Sequence, residues 1–98
     1  MNICRNTSPL FKVIATETYS KELDKWSNSE QEIAEKMAKS LADNPLQGKP
    51  LGYPFLREKK IGGKRIYYLI YPELKLVLLV ATSYKKNQQE TIEHIKSN

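Results

Sequence analysis

The sequence has little of what disulfides, metal sites and membrane spans require. It contains one cysteine, Cys4, and one histidine, His94. A single cysteine excludes an internal disulfide, suits a reducing compartment, and is too few, with one histidine, for a metal site. The longest apolar run, Leu76 to Ala81, is far shorter than the roughly 20 residues of a membrane-spanning helix. Without the apolar segment of a signal peptide, the chain is expected to be cytoplasmic and not to contact a membrane.

Motifs for common cofactors are also missing. The sequence has no phosphate-binding glycine loop, no dinucleotide fingerprint and no metal-ligand spacing. We therefore expect neither a cofactor nor a bound metal. His94 falls in the last predicted helix without a catalytic partner nearby, which indicates a surface residue.

Positive charge is concentrated in the second half of the chain. The formal net charge is +5, and residues 1–50 carry seven basic and seven acidic side chains, whereas residues 51–98 carry nine basic and four acidic ones. This asymmetry predicts a localised basic surface. Nucleic acid or an acidic protein is the expected partner, because the basic residues fall on predicted strands and not on an amphipathic, membrane-binding helix.

A basic β-hairpin over residues 57–71 is the centre of this charge. Its two strands are joined by Gly62-Gly63, since glycine reaches the positive φ of tight turns at little steric cost. A two-residue turn places Lys60 opposite Arg65, and a three-residue loop places Lys59 there. In either register two or three cations share one face. Such a face suits an anion lying across it, or else a solvated edge strand that lysines protect from aggregation.

The whole pattern predicts one α+β domain over residues 10–98, after a flexible lead-in over residues 1–9. The expected order is β-α-α-β-β-β-α, a small antiparallel sheet with an N-terminal helical hairpin packed on it. A strand is predicted over residues 10–15, and Thr16 caps a first helix with an apolar stripe of Tyr19, Leu23 and Trp26. A second helix begins with a capping box of Ser29 and Glu32, buries Ile33, Met37 and Leu41, and stops at Asn44-Pro45. After the hairpin come a central strand over residues 76–82 and a last helix that begins after Asn87 and docks through Ile92 and Ile95.

Several short motifs, together with this order of elements, carry a resemblance to a known family. They are Asn44-Pro45 followed by Gly48-Lys49-Pro50-Leu51, the basic strand, the segment Gly63-Lys64-Arg65-Ile66-Tyr67-Tyr68-Leu69-Ile70, and Tyr84-Lys85-Lys86. Over residues 10–96 the chain resembles the RelE/ParE toxins of type II toxin–antitoxin systems. The resemblance implies a cognate antitoxin as partner. It also implies either a RelE-like endoribonuclease that cuts messenger RNA in the ribosomal A site, which we favour, or a ParE-like gyrase inhibitor, or a non-catalytic antitoxin-binding member.

The resemblance implies roles for particular basic residues. Arg65 matches the sheet arginine of the family, and a guanidinium grips phosphate through a planar fork whose hold strengthens as charge builds in the transition state. Arg57 and either Lys59 or Lys60 match basic residues of the preceding strand. Arg57 is then expected to bind the RNA backbone. The lysine is expected to contact phosphate or to remove a proton. Lys86 matches the basic residue after the last strand, near the leaving group.

Further side chains are expected at the RNA. Tyr67 shares a strand face with Arg65, so it is a candidate to stack on a base. Lys64 belongs to the same basic strand, and Lys85 precedes a helix whose free amides favour anions. Bacterial RelE toxins use a tyrosine in the final helix where this chain has Ile92, and Tyr84 is the candidate replacement.

Overall fold

The computed structural model describes residues 10–97, which form five β-strands and three α-helices. The expected lead-in over residues 1–9 lies outside the described residues. The elements are β1 (Lys12–Ala15), α1 (Glu17–Leu23), α2 (Asn28–Asp43), β2 (Lys49–Pro50), β3 (Leu56–Ile61), β4 (Lys64–Tyr71), β5 (Leu76–Tyr84) and α3 (Gln88–Ser97), with short 3-10 turns at Pro45–Gln47, Pro72–Leu74 and Lys85–Asn87. Within residues 10–97, none of the helices combines the length and the apolar character that crossing a membrane requires.

The strands form one sheet in the order β1-β5-β4-β3-β2. The predicted α+β class and the central place of β5 are confirmed, but two details differ. β1 pairs parallel to β5, so the sheet is mixed and not purely antiparallel. β2, whose proline pointed to a loop, adds a two-residue edge strand beside β3. Proline is tolerated there because it has no N–H to donate, and on the outer side of an edge strand no neighbouring strand needs that hydrogen bond.

The sheet has one large apolar face and one smaller mixed face. Helices α1 and α2 cover the first, which we call the helical face. Its core consists of Tyr19, Trp26, Ala34, Leu41, Ile61, Ile66, Tyr68, Ile70, Val77 and Leu79. Helix α3 covers the second, the α3 face, where Ile92 packs with Tyr67 and Ala81. The expected docking of the last helix through Ile92 and Ile95 is thus confirmed.

A bulge in β5 changes which of its residues face α3. Tyr68 pairs with Leu79 and Tyr67 pairs with Ala81, so Val80 is the extra residue. Because side chains alternate along a strand, this insertion moves the residues after it to the opposite face. Ser83 therefore lies on the same face as Arg65, its cross-strand partner.

The start of the first helix and the end of the second were predicted correctly, whereas the capping box and one buried side chain of the second helix were not. Thr16 caps α1 by accepting a hydrogen bond from the Tyr19 amide, and α2 ends at Asp43, one residue before Asn44-Pro45. The predicted capping box was wrong by two positions, since Ser27 and Glu30 form it. Ile33 was also placed wrongly, because it is 51% exposed.

The loop after α2 is fastened to the sheet through Tyr68. Its hydroxyl donates to the Pro45 carbonyl at 2.6 Å and accepts from the Gly48 amide at 3.0 Å. A Cβ atom at Gly48 would lie 2.6 Å from that hydroxyl and 2.7 Å from the Glu58 carbonyl, so only glycine fits this approach. Burial raises the pKa of Tyr68, which keeps the hydroxyl protonated as a donor.

Candidate functional site

The register of the basic hairpin decides which cations meet. Gly62 and Gly63 form a two-residue turn, Gly62 has a φ of 59°, and Lys60 pairs directly with Arg65. Of the two registers left open by the sequence, the shorter turn is the one adopted. Lys60 and Arg65 therefore share the α3 face, while Arg57 and Lys59 point to the helical face. The five basic residues of the hairpin do not form one surface.

Arg57 braces the loop between α2 and β3. Its Nε donates to the Pro54 carbonyl at 2.8 Å, and its Nη1 donates to the carbonyls of Leu46 and Gly48 at 3.0 and 2.9 Å. These bonds engage Nε and Nη1 and give Arg57 a structural role. That it also binds RNA stays a prediction.

Lys64 is also occupied. Its Nζ donates to both carboxylate oxygens of Glu30 at 2.7 and 2.6 Å, and it lies 5.5 Å from the ring centroids of Trp26 and Tyr84. The hydrogen bond from Lys64 holds the pKa of Glu30 below its usual value. Lys64 therefore connects β4 to α2, and its expected contact with RNA stays a prediction. Tyr84, beside it, keeps a half-exposed ring.

Arg65 lies in a buried polar cluster under α3. It is 5% exposed, and its Nε lies 3.9 Å from Oε1 of Glu58, which is 2% exposed. Nη1 donates to the Lys64 carbonyl at 3.2 Å, and the buried Nε has no hydrogen-bond partner among residues 10–97. Both carboxylate oxygens of Glu58 accept from Nε2 of Gln88 at 2.7 and 2.9 Å. The arginine expected at a scissile phosphate thus faces an internal carboxylate.

Tyr67 cannot stack on a base in this conformation. It is 0% exposed, packs with Ala81 and Ile92, and shares a 2.8 Å hydrogen bond with Ser83. Burial raises the pKa of its hydroxyl. Tyr67 does share a face with Arg65, but Ile92 of α3 packs on Tyr67, so stacking on a base stays a prediction that requires this helix to move. The alternation of a strand predicts a shared face, but a helix from elsewhere in the chain decides whether that face is open.

Exposed lysines collect at the turn end of the hairpin. The Lys85 amide donates to the Gly63 carbonyl at 2.9 Å, which brings the turn after β5 against the hairpin turn. Lys60, Lys85 and Lys86 are exposed there, while Lys59 is half-buried on the opposite face. Within residues 10–97 none of these four lysines is paired with a carboxylate. This end of the sheet, beside Arg65, is the part of the predicted basic surface that remains available to an anion.

Two residues of the cluster had little or no signal in the sequence. Glu58 lies two residues from Lys60, so the two-residue turn places it on the face of Arg65, but the sequence left that turn undecided. Gln88 comes from the start of α3, and no spacing predicts its contact with Glu58. Ile92, which the resemblance matches to a tyrosine, is buried in the small core and offers no hydroxyl.

Comparison with known proteins places this geometry in a known architecture. No protein-family model matches the sequence, and no curated protein matches it. Solved structures do: a double mutant of the E. coli toxin RelE in the free state has a TM-score of 0.77 and 20% identity, covering 90% of this chain and 97% of that one. The chain has the RelE fold.

Complexes from two other organisms contain the same fold. The RelBE2 toxin–antitoxin complex of Mycobacterium tuberculosis matches with a TM-score of 0.69 and 23% identity, covering 82% of this chain and 97% of that one. The archaeal RelE–RelB complex of Pyrococcus horikoshii matches with a TM-score of 0.69 and 14% identity, covering 78% and 96%. The RelE fold thus accommodates a sequence that differs at most positions.

Proposed function

We propose that this chain is the RelE-like toxin of a toxin–antitoxin pair, a cytoplasmic endoribonuclease that cuts messenger RNA in the ribosomal A site. The observation that carries the proposal is the position of Arg65 within a RelE fold. Arg65 lies next to Lys60 across the hairpin, at the end of the sheet where Lys85 and Lys86 are exposed. Such a set of cations suits a phosphodiester with charge building on its oxygens.

The proposed reaction needs the RNA to supply its own nucleophile. The 2′-hydroxyl attacks the adjacent phosphorus, the new O2′–P bond forms, the P–O5′ bond breaks, and a 2′,3′-cyclic phosphate remains, which water can open to a 3′ phosphate. The departing O5′ takes up a proton from solvent. Arg65 stabilises the developing charge, and Lys60 contacts phosphate as the ammonium or, as the neutral amine, receives the 2′ proton. Lys86 lies at the leaving group. Lys59, the alternative to Lys60, points to the opposite face. Because these cations neutralise the phosphate, the proposal invokes neither a metal nor a cofactor.

The proposed partner is an antitoxin. RelE-fold proteins have been solved as toxin–antitoxin complexes from several organisms, bacterial and archaeal. The exposed lysines offer sites for acidic side chains of such a partner. Exposed apolar side chains at the other end of the sheet line a groove of about 630 Å³, which includes Leu46, Phe55, Tyr71 and Leu74. Apolar patches of this kind are typical of protein–protein contacts.

A purified translation system tests the nuclease proposal. Message ends are mapped by primer extension after addition of the wild-type chain, Lys60→Ala, Arg65→Lys or Lys36→Ala. We expect codon-phased cuts from the wild type and from Lys36→Ala, an exposed α2 control. Lys60→Ala and Arg65→Lys should lose about 100-fold in cleavage rate, the scale of a general base or of one transition-state donor. Equal cutting by all four proteins would reject these roles.

A second candidate is a ParE-like gyrase inhibitor or a non-catalytic antitoxin-binding protein. Two observations favour it: Arg65 is covered by Glu58 and α3, and Ile92 stands at the family's tyrosine position. Arrested growth with intact messages and trapped or linear DNA would support gyrase inhibition. Intact messages with normal DNA would support a protein that only binds its antitoxin.

A further inference from the structure

The contacts of Glu58 and Arg65 are unequal. The Glu58 carboxylate accepts two hydrogen bonds from one amide group of Gln88, whereas the buried Nε of Arg65 donates to no acceptor within the described residues. An unsatisfied buried donor destabilises the arrangement, and a guanidinium binds best when two parallel hydrogen bonds reach an anion. At 3.9 Å, Glu58 balances the charge of Arg65 but leaves the hydrogen bond of Nε unmade.

We propose that Glu58 is the internal occupant of an anion site centred on Arg65, and that Gln88 is the latch that holds it there. A phosphate group carries more acceptor oxygens than a carboxylate and is free to approach the guanidinium in plane. Phosphate therefore competes with Glu58 for Arg65, and it is favoured once the hydrogen bonds from Gln88 to Glu58 break. That the phosphate belongs to RNA rests on the proposed function. The masking itself rests on the contacts described above.

Gln88, the proposed latch, lies on a short helix near the end of the described chain. Gln88 is the first residue of α3, a ten-residue helix that packs on the small core of Tyr67, Ala81 and Ile92. A helix of this length is marginal by itself, and short terminal elements open locally without global unfolding. The first turn of α3 can therefore leave Glu58 while the larger core on the helical face stays packed.

Phosphate titration of Gln88→Ala tests the latch. The probe is inorganic phosphate, and the signal is the Nε–Hε resonance of Arg65 followed by NMR. Gln89→Ala is the matched control, because Gln89 is the next residue, is exposed, and bonds only to Glu93 on its own helix. We expect Gln88→Ala to bind phosphate about tenfold more tightly than the wild type, since about one net hydrogen bond no longer opposes binding. Gln89→Ala should match the wild type.

A second variant, Glu58→Gln, keeps the side-chain shape and removes the charge. It should also tighten phosphate binding and shift the Arg65 resonance. The latch is overturned if Gln88→Ala and Glu58→Gln bind phosphate like the wild type, or if phosphate moves only lysine resonances. These readouts need no ribosome, so a chain that fails to cut messages but shows the predicted phosphate binding would lose the nuclease proposal and keep the latch.

Discussion

The two faces of the sheet are built in different ways. The helical face buries ten side chains in one core, and its cation Lys64 is satisfied by both oxygens of Glu30. The α3 face has a smaller core of Tyr67, Ala81 and Ile92, and it encloses Glu58 and Arg65, whose Nε has no hydrogen-bond partner within residues 10–97. Both faces hold an ion pair, but only the first pair has close hydrogen-bond geometry.

This difference separates stability from function. A large apolar core supplies most of the favourable free energy of folding, and a satisfied ion pair adds a connection between elements without a reason to open. A small core over an incompletely hydrogen-bonded ion pair supplies less of this free energy, and its arginine can exchange Glu58 for another anion. The helical face is therefore where we expect substitutions to unfold the protein. The α3 face is where we expect them to alter binding.

The largest effect should come from truncating the core of the helical face. Leu41→Ala removes a fully buried side chain of α2, and we expect a loss of about 2 to 5 kcal/mol in the free energy of unfolding. Ile92→Ala removes a buried side chain of α3 and should cost the low end of that range, because a terminal helix can move in to fill the space. Urea unfolding measures both. An equal cost would contradict the division between the faces.

A double-mutant cycle on the buried pair should give the next largest effect. Arg65→Ala leaves the Glu58 carboxylate buried without a counter-charge, so we expect a loss of about 3 kcal/mol. Removing both side chains should cost less than the sum of the single changes, since no charge is then stranded. Chemical denaturation of the four proteins supplies the coupling energy. Additive costs would show that the pair does not interact.

The cover of the helical face also has a local anchor. The Ser27 hydroxyl accepts a hydrogen bond from the Glu30 amide, and the Ser27 amide donates one to Oε1 of Glu30. Ser27→Ala should destabilise the protein by about 1 kcal/mol. Ser29→Ala, at the position predicted from sequence, should change it by less than about 0.5 kcal/mol. Thermal unfolding of both variants distinguishes the two caps, and the reverse order of costs would restore the predicted box.

The smallest effect is electrostatic and again separates the faces. Lys64 lowers the pKa of Glu30, so the ion pair contributes stability above the unfolded glutamate pKa of about 4.3 and loses it as pH falls through the lower folded pKa. Carboxyl NMR titration should show the pKa of Glu30 rising in Lys64→Met. The pKa of Glu30 should stay unchanged in Lys60→Met, because Lys60 lies on the other face of the sheet. A shift in both variants would contradict the assigned faces.

Local signals predicted most of the secondary structure. Gly62-Gly63 with its flanking strands, the apolar segment at Leu76 and the proline at Pro45 each act on the nearest few residues, and the structure has a turn, a central strand and a helix end there. The capping box was harder, because Ser27 and Ser29 each have a glutamate three residues later. Nothing local distinguishes two such pairs, and the packing of α2 decides between them.

The sequence by itself determined the class of fold, the basic hairpin and the excess of positive charge in the second half of the chain, because these depend on composition and on short-range periodicity. Only the tertiary structure decided that the turn has two residues, that Arg57 and Lys64 are occupied by backbone and carboxylate partners, and that α3 brings Gln88 over Glu58 and Arg65. The physical reason is range. The alternation of side chains along a strand depends on neighbouring residues, whereas the partner of a charged side chain depends on which distant element packs against it.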